Sequence, residues 1–99
     1  MIQVIAGYKL KEGANISHIF LKLRSVAMTY AGFVSAQNLQ NVQDSSIVAM
    51  LSTWDNLESW RLWETSKARQ EILKEAEPFL VEKPKVTIYA VAPTIRWVG

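Results

Sequence analysis

The spacing of apolar residues at the start of the chain predicts a β-strand followed by a helix. Between Ile2 and Leu10 every second residue is apolar, and such an alternation places one set of side chains on one face of a sheet. From Ile16 onward the apolar residues lie three or four positions apart, which predicts an amphipathic helix that ends at Gly32. Asn15 is expected to cap this helix, because its side chain can accept from a free backbone N–H.

The middle of the chain predicts a β-hairpin. Residues 33–41 alternate and are largely polar, residues 43–46 form a cluster of turn-forming residues, and residues 47–54 are mostly apolar. In the first half of this third strand both alternating sets of residues are apolar, so we expect both of its faces to be covered. The helices can cover one face, whereas a chain this small has nothing left to cover the other.

Capping patterns and a proline divide the last part of the chain into a helix in two pieces and a strand. Asp55, with Glu58 three residues later, fits a capping box, and Ser66 is expected to cap the second piece. Pro78 ends that piece, because a residue before proline avoids the helical conformation. Residues 85–91 then predict a fourth strand.

The predicted order is β, α, β, β, α in two pieces, β. This order indicates an α+β fold of the ferredoxin-like βαββαβ type, with a four-stranded antiparallel sheet and the helices on one face. The length of 99 residues is that of one domain, residues 1–99, in which residues 92–99 form a C-terminal tail that contains Trp97.

The predicted sheet leaves one face without helices. Two such faces packed together would close a barrel between two subunits, so we expect a homodimer, a dimeric α+β barrel. The face carries three apolar residues of the third strand, Ile47, Ala49 and Leu51.

Composition and charge exclude several classes of function. Eleven basic and nine acidic residues leave a net charge of +2, too little for a nucleic-acid-binding surface. Without cysteine, and with His18 as the single histidine, we expect no metal site; His18 lies off the apolar stripe of its helix and is expected on the surface. No apolar run is long enough to span a membrane and no signal peptide is visible, so we expect a cytoplasmic protein without a membrane partner.

Three short stretches give the chain a resemblance to a known family. Residues 32–36 read Gly-Phe-Val-Ser-Ala, residues 52–55 read Ser-Thr-Trp-Asp, and residues 57–63 form an aromatic-rich helix. This pattern resembles the antibiotic biosynthesis monooxygenase family. The resemblance implies a dimeric α+β barrel and a cofactor-independent monooxygenase, which oxidises a small hydroxylated aromatic or quinol substrate with O₂.

The resemblance carries over only part of the family's best-known set of site residues. Trp54 matches the tryptophan that ends the third strand, but Met50, Trp60 and Lys74 stand where that set has Asn, Tyr and Arg. No catalytic residue or general base is therefore named. The histidine that haem-degrading relatives carry ten residues after the position of Trp63 is absent as well, so we expect no haem and no other cofactor.

The aromatic residues of the third strand and the following helix are the best candidates for a substrate pocket. Three tryptophans could stack against a planar ligand or could simply pack in the core. Among polar residues, Asn38 and the tyrosines Tyr30 and Tyr8 could contact a substrate oxygen, whereas Arg69 is typical of a solvated helix face, as are Arg24, Arg61 and Lys74. The predicted pocket residues are Trp54, Trp60, Trp63, Asn38, Tyr30 and Met50.

Two kinds of function remain open from the sequence. The resemblance favours an enzyme, the cofactor-independent monooxygenase described above. The alternative is a non-catalytic module that binds a small hydrophobic ligand or mediates an interaction on the same fold, and an isomerase or decarboxylase is a third possibility.

Overall fold

A computed structural model describes residues 1–92, and the predicted tail with Trp97 lies almost entirely outside this range. The strands and helices within it follow the predicted order. They are β1 (Ile2–Lys9), α1 (Ser17–Ala27), β2 (Phe33–Gln40), β3 (Ile47–Trp54), α2 (Leu57–Glu64), α3 (Lys67–Ala76), a 3₁₀ turn (Glu77–Phe79) and β4 (Lys85–Ala90).

The four strands form one antiparallel sheet in the order β2-β3-β1-β4. In the central pair Ile2 lies opposite Trp54 and Lys9 opposite Ile47. This topology, with the helices on one face, confirms the ferredoxin-like α+β fold. No helix among residues 1–92 is long and apolar enough to cross a membrane.

Alternation along β1 determines which face of the sheet meets the helices. The even-numbered side chains from Ile2 to Tyr8 are buried, whereas Ile5 and Gly7 between them are half-buried. The buried set packs against the apolar stripe of α1, including Phe20 and Leu23. The hydrophobic core therefore lies between the even-numbered face of the sheet and the helices.

The opposite face, which we call the open face, carries the odd-numbered residues of β1, β3 and β4. In β2 the same holds from Ser35 onward, because a register shift between Phe33 and Ser35 leaves Phe33 on the helix side beside Trp54. Ile47, Ala49 and Leu51 lie on it, as the sequence predicts. Ala49 is paired with Gly7 on one side and Leu39 on the other. Leu39 is 42% exposed and Ile47 is 39% exposed, so apolar side chains reach solvent from this face of the single chain.

The ends of the helices confirm one of the predicted caps and correct two others. Ser66 Oγ accepts from the backbone N–H of the third residue of α3 at 3.1 Å. Asn15 Oδ1 accepts from Ser17 N at 2.8 Å, but the capping position of α1 is Ile16, which makes no side-chain cap hydrogen bond. The prediction that Asp55 caps α2 is wrong. Asn56 is the cap, and its side chain accepts from Ser59 N at 2.8 Å.

The later start of α2 follows from the pairing of β2 with β3. The backbone N–H of Asp55 donates to Gly32 O at 2.8 Å, which continues the pairing of β2 and β3 by one residue. The chain is therefore still extended at Asp55, and the helix begins one residue later than predicted. The predicted helix up to Gly32 is also shorter, since α1 ends at Ala27, and Gly32 has a left-handed φ of 87° at the start of β2.

Candidate functional site

A small cavity, which we call the inner cavity, lies between the sheet and the helices beside the tryptophans. Its volume of about 20 Å³ is enough for roughly one water molecule. Its walls come from β1, β2, β3 and all three helices. The polar and the larger apolar residues that line it include Tyr8, Phe33, Met50, Ser52, Trp54, Trp60, Trp63 and Arg69.

The tryptophans form an aromatic wall that is almost closed to solvent. Trp54, at the end of β3, is 0% exposed and donates its Nε1–H to Ser52 Oγ at 3.1 Å. Its ring meets those of Phe33 and Trp60 edge to face, with centroids 5.3 and 6.0 Å away. Trp63 lies one helical turn after Trp60, so the spacing of α2 brings both rings to the same side.

The Nε1–H of Trp60 is a buried donor without an acceptor. The Trp60 side chain is 2% exposed, and its Nε1 finds no hydrogen-bond partner among residues 1–92. Leaving such a group unpaired costs about 1–3 kcal/mol. A ligand oxygen next to Nε1 would remove this cost.

Arg69 is buried in the first turn of α3, which corrects the prediction that it lies on a solvated helix face. It is 8% exposed, and its guanidinium carbon lies 5.2 Å from the centre of the Trp60 ring. A guanidinium above an aromatic ring is attracted by the electrons of the ring face, and its N–H groups remain able to donate to an acceptor.

No carboxylate in the described part of the chain forms an ion pair with Arg69. Glu64 is near enough to raise the Arg69 pKa, but its carboxylate is bound by Arg61 Nη1 at 2.7 Å. Burial has the larger effect and lowers the Arg69 pKa below its usual value. The side chain is thus a buried cation without a paired anion, which is costly for a fold to keep.

Tyr8 supplies a second buried polar group to the cavity. Its side chain is 3% exposed and meets the ring of Phe20 edge to face. Burial raises the pKa of the Tyr8 hydroxyl, and the positive charge of Arg69 lowers it by a smaller amount. The hydroxyl is therefore neutral at neutral pH and can donate to an anion.

We predict that stability falls above about pH 10 because of Tyr8. In the unfolded chain a tyrosine loses its proton near pH 10, whereas the folded protein keeps it to higher pH because the folded pKa is raised. The unfolded state then binds one proton fewer, and the free energy of unfolding falls by about 1.4 kcal/mol per pH unit until the folded pKa is reached. Urea titrations between pH 8 and pH 11 should show this slope, and Tyr8→Phe should flatten it; equal slopes would contradict the assignment.

The other predicted pocket residues do not lie together. Met50 is 8% exposed and lines the inner cavity. Tyr30 is half-buried and packs edge to face on Trp63, 5.0 Å between ring centroids. Asn38 is exposed and lines a separate cleft of about 600 Å³ beside the start of α1, so its contact with a substrate in the inner cavity stays a prediction. His18 is exposed, as expected.

Sequence reasoning missed Arg69, although a signal was present. Arg69 precedes Ile72 by three residues and Ala76 by seven, and both lie on the buried face of α3. This spacing places Arg69 on the same face. The first turn of α3 lies beside the end of α2, so its side chain extends over Trp60 and not into solvent.

A ferredoxin-like sheet with an aromatic cavity under its helices defines a class of small α+β domains in which a buried site is built from both layers. Within this class the chain belongs to the antibiotic biosynthesis monooxygenase family, whose model matches residues 1–75. Among curated proteins no sequence matches.

Several solved structures share the fold at low sequence identity. A Deinococcus radiodurans protein assigned to the antibiotic biosynthesis monooxygenases has a TM-score of 0.84 and 12% identity, with 100% of both chains covered. SnoaB from Streptomyces nogalater, described as a cofactor-independent oxygenase, has a TM-score of 0.81 and 10% identity, with 95% of both chains covered. Rv0793 from Mycobacterium tuberculosis has a TM-score of 0.81 and 11% identity, over 96% of this chain and 98% of that one.

Proposed function

We propose that the protein is a cofactor-independent monooxygenase that oxidises a small hydroxylated aromatic or quinol with O₂. Membership of the family supports this proposal, and so does the name that SnoaB carries. The observation that carries it is a pair of donors beside an aromatic wall: Trp60 Nε1–H, which is buried without an acceptor in residues 1–92, and the guanidinium of Arg69, with which no carboxylate in those residues pairs.

These donors match the charge that such a reaction develops. A deprotonated phenol is electron-rich enough to give an electron to O₂ directly, and the two radicals combine to a peroxide on a ring carbon. The O–O bond then breaks as that carbon loses its hydrogen: one oxygen atom stays as a carbonyl and the other leaves with two protons as water. The substrate supplies all four electrons and becomes a quinone. The side chains around the cavity would bind the substrate anion and the oxyanion that follows, in a site that excludes water. Arg69 stays protonated, so it acts as a donor and not as a base.

The residues that line the inner cavity include no carboxylate and no histidine. A general base from these side chains is therefore not part of the proposal. We infer that the substrate loses its phenolic proton to solvent before or during entry, which favours substrates that ionise readily.

Oxygen uptake tests the proposal. Wild-type protein, free of flavin and metal, is mixed with a panel of quinols and anthrone-type compounds in an oxygen electrode. Trp60→Phe keeps a ring in place but removes the unpaired donor, and we expect it to lower kcat by about 10²-fold. Arg24→Gln, which removes an exposed charge on the outside of α1, is the matched control and should leave kcat unchanged. Absence of uptake with every compound, or equal rates for Trp60→Phe and wild type, would contradict the proposal.

A non-catalytic ligand-binding module is the second candidate. It is favoured by the missing acid–base side chains and by the volume of the inner cavity, about 20 Å³, which admits an aromatic ring only if a wall moves. Quenching of tryptophan fluorescence by the same compounds, without oxygen uptake or product, would select this candidate over the enzyme.

We also propose that two copies associate through the open face. Support comes from the two central strands, where Ile5 lies opposite Leu51 and both are half-buried within the single chain. Leu39 and Ile47 extend the same apolar area toward one end of the sheet. A second copy of this face would cover these side chains and give β3 the apolar neighbour that its sequence predicts.

A further inference from the structure

A third cavity, which we call the outer cleft, lies at the edge of the molecule between α3 and β4. It has a volume of about 500 Å³, within the range of roughly 300–1,000 Å³ that is typical of sites for small molecules. The inner cavity is far below that range. The outer cleft is lined by Arg69, Leu73, Glu77, Leu80, Glu82, Lys83, Pro84 and Val86.

Arg69 lines both the inner cavity and the outer cleft. Its side chain therefore forms the partition between them, with Trp60 on its inner side. The guanidinium carbon lies over the Trp60 ring, 5.2 Å from its centre, and the group carries N–H donors that a molecule in the outer cleft can reach, because Arg69 lines that cleft. The side chain is 8% exposed and no carboxylate in the described range pairs with it, so a ligand anion can supply the missing counter-charge.

The remaining walls of the outer cleft are apolar, and its charges are balanced. Leu73, Leu80, Pro84 and Val86 line the cleft and offer apolar contacts to an aromatic ring. Val86 is 37% exposed. The glutamates and the lysine are exposed, so solvent screens them, whereas the buried charge of Arg69 is screened far less.

We propose that the outer cleft binds an aromatic ligand that carries an oxyanion, either a phenolate or a carboxylate, with the oxyanion against Arg69. The ring lies between the apolar walls, and Arg69 selects the anion over its neutral analogue. This inference rests on the proposed function, since it names the class of substrate and the side from which it approaches. Arg69 is the residue that determines specificity for the charge.

Calorimetry with three probes tests the proposal on the full chain. The probes are naphthalene-2-carboxylate, its neutral amide naphthalene-2-carboxamide, and 2-naphthol measured below and above its own pKa. A hydrogen-bonded charge pair at a buried site corresponds to about 10- to 100-fold in affinity. We expect the carboxylate to bind at least about tenfold more tightly than the amide. A gain on ionisation of 2-naphthol would show that a phenolate is accepted too, and its absence would restrict the ligand to carboxylates.

Variants separate the charge from the cleft. Arg69→Gln should abolish the preference for the carboxylate, and Arg69→Lys should restore part of it, whereas Arg24→Gln, at an exposed position of α1, should bind all probes as wild type does. Val86→Trp should fill the outer cleft and weaken every probe by about tenfold, while Val81→Trp, which adds the same ring at an exposed valine outside the cleft, should not.

The outcomes distinguish this inference from the proposed oxidation. Equal affinities of wild type for carboxylate and amide, or no binding of any probe, would overturn the outer cleft as an oxyanion site, and this comparison needs no variant to fold. If the expected pattern of binding appears but no quinol consumes O₂, the oxidation is wrong and the cleft stands. If quinols are oxidised and the pattern of binding is missing, the cleft is wrong and the oxidation stands.

Discussion

Gly32→Ala is expected to lower the free energy of unfolding by about 3 kcal/mol. Gly32 has a φ of 87°, a conformation that residues with a Cβ adopt only at a cost. A Cβ at this position would also lie 2.5 Å from Ser59 Cβ and nearer still to its hydroxyl. Ser59 is fixed in the first turn of α2, where its backbone N–H donates to the side chain of the capping Asn56. Ser59 therefore cannot move away from a new Cβ at position 32 without loss of this cap.

Gly13→Ala is the matched control for this prediction. Gly13 has a similar φ of 75°, but a Cβ there meets no atom within 4 Å. It should therefore show only the cost of the backbone, about 1 kcal/mol. Urea unfolding followed by tryptophan fluorescence measures both. Ser59→Gly added to Gly32→Ala should recover the part caused by the contact; equal losses at the two glycines would show that the contact with Ser59 carries no cost.

The sheet could be predicted from the sequence because its two faces have different surroundings. In β1 every second side chain from Ile2 to Tyr8 enters the core, and this leaves a period of two that needs no knowledge of the partner strands. In β3, residues 47, 49 and 51 are apolar although the helices cover only the even-numbered face of the sheet. Ala49 and Leu51 could therefore be assigned to the open face. A pattern of this kind shows which face of a strand is buried against protein and which is exposed to water.

The beginning of α2 could not be predicted to the residue. Asp55 and Asn56 are both good caps, and a capping pattern does not distinguish two adjacent residues of this type. The choice is made by the hydrogen bond from Asp55 N to Gly32 O, which joins residues that are distant in sequence. A contact of that kind is a property of the tertiary structure.

The candidate site was predicted in its aromatic part and missed in its charged part. Trp54, Trp60 and Met50 lie around the inner cavity because they follow the periods of β3 and α2. An arginine on a helix is usually solvated, and the sequence therefore predicts an exposed Arg69. In the structure its guanidinium lies over the ring of Trp60 instead. Its burial depends on how α3 is placed against α2, and that placement has no local pattern.

Leu51→Lys is expected to raise the dissociation constant of the proposed homodimer by at least about 1,000-fold. Leu51 lies on β3 between Ile5 and Gln37, near the middle of the open face. In the single chain position 51 is half-exposed, so a lysine there can extend into water and the fold is kept. Between two packed sheets the ammonium would be buried without a partner, which costs several kcal/mol in each subunit.

Leu21→Lys is the control that separates a lost interface from a general effect of charge. Leu21 is 67% exposed on α1, on the helix side of the sheet, so the same substitution there adds the same charge away from the open face. Sedimentation equilibrium at micromolar concentration should find dimers for wild type and Leu21→Lys and single chains for Leu51→Lys. A wild-type protein that sediments as a single chain would contradict the proposed homodimer. The apolar odd-numbered residues of β3 would then have to be covered by something other than a second copy.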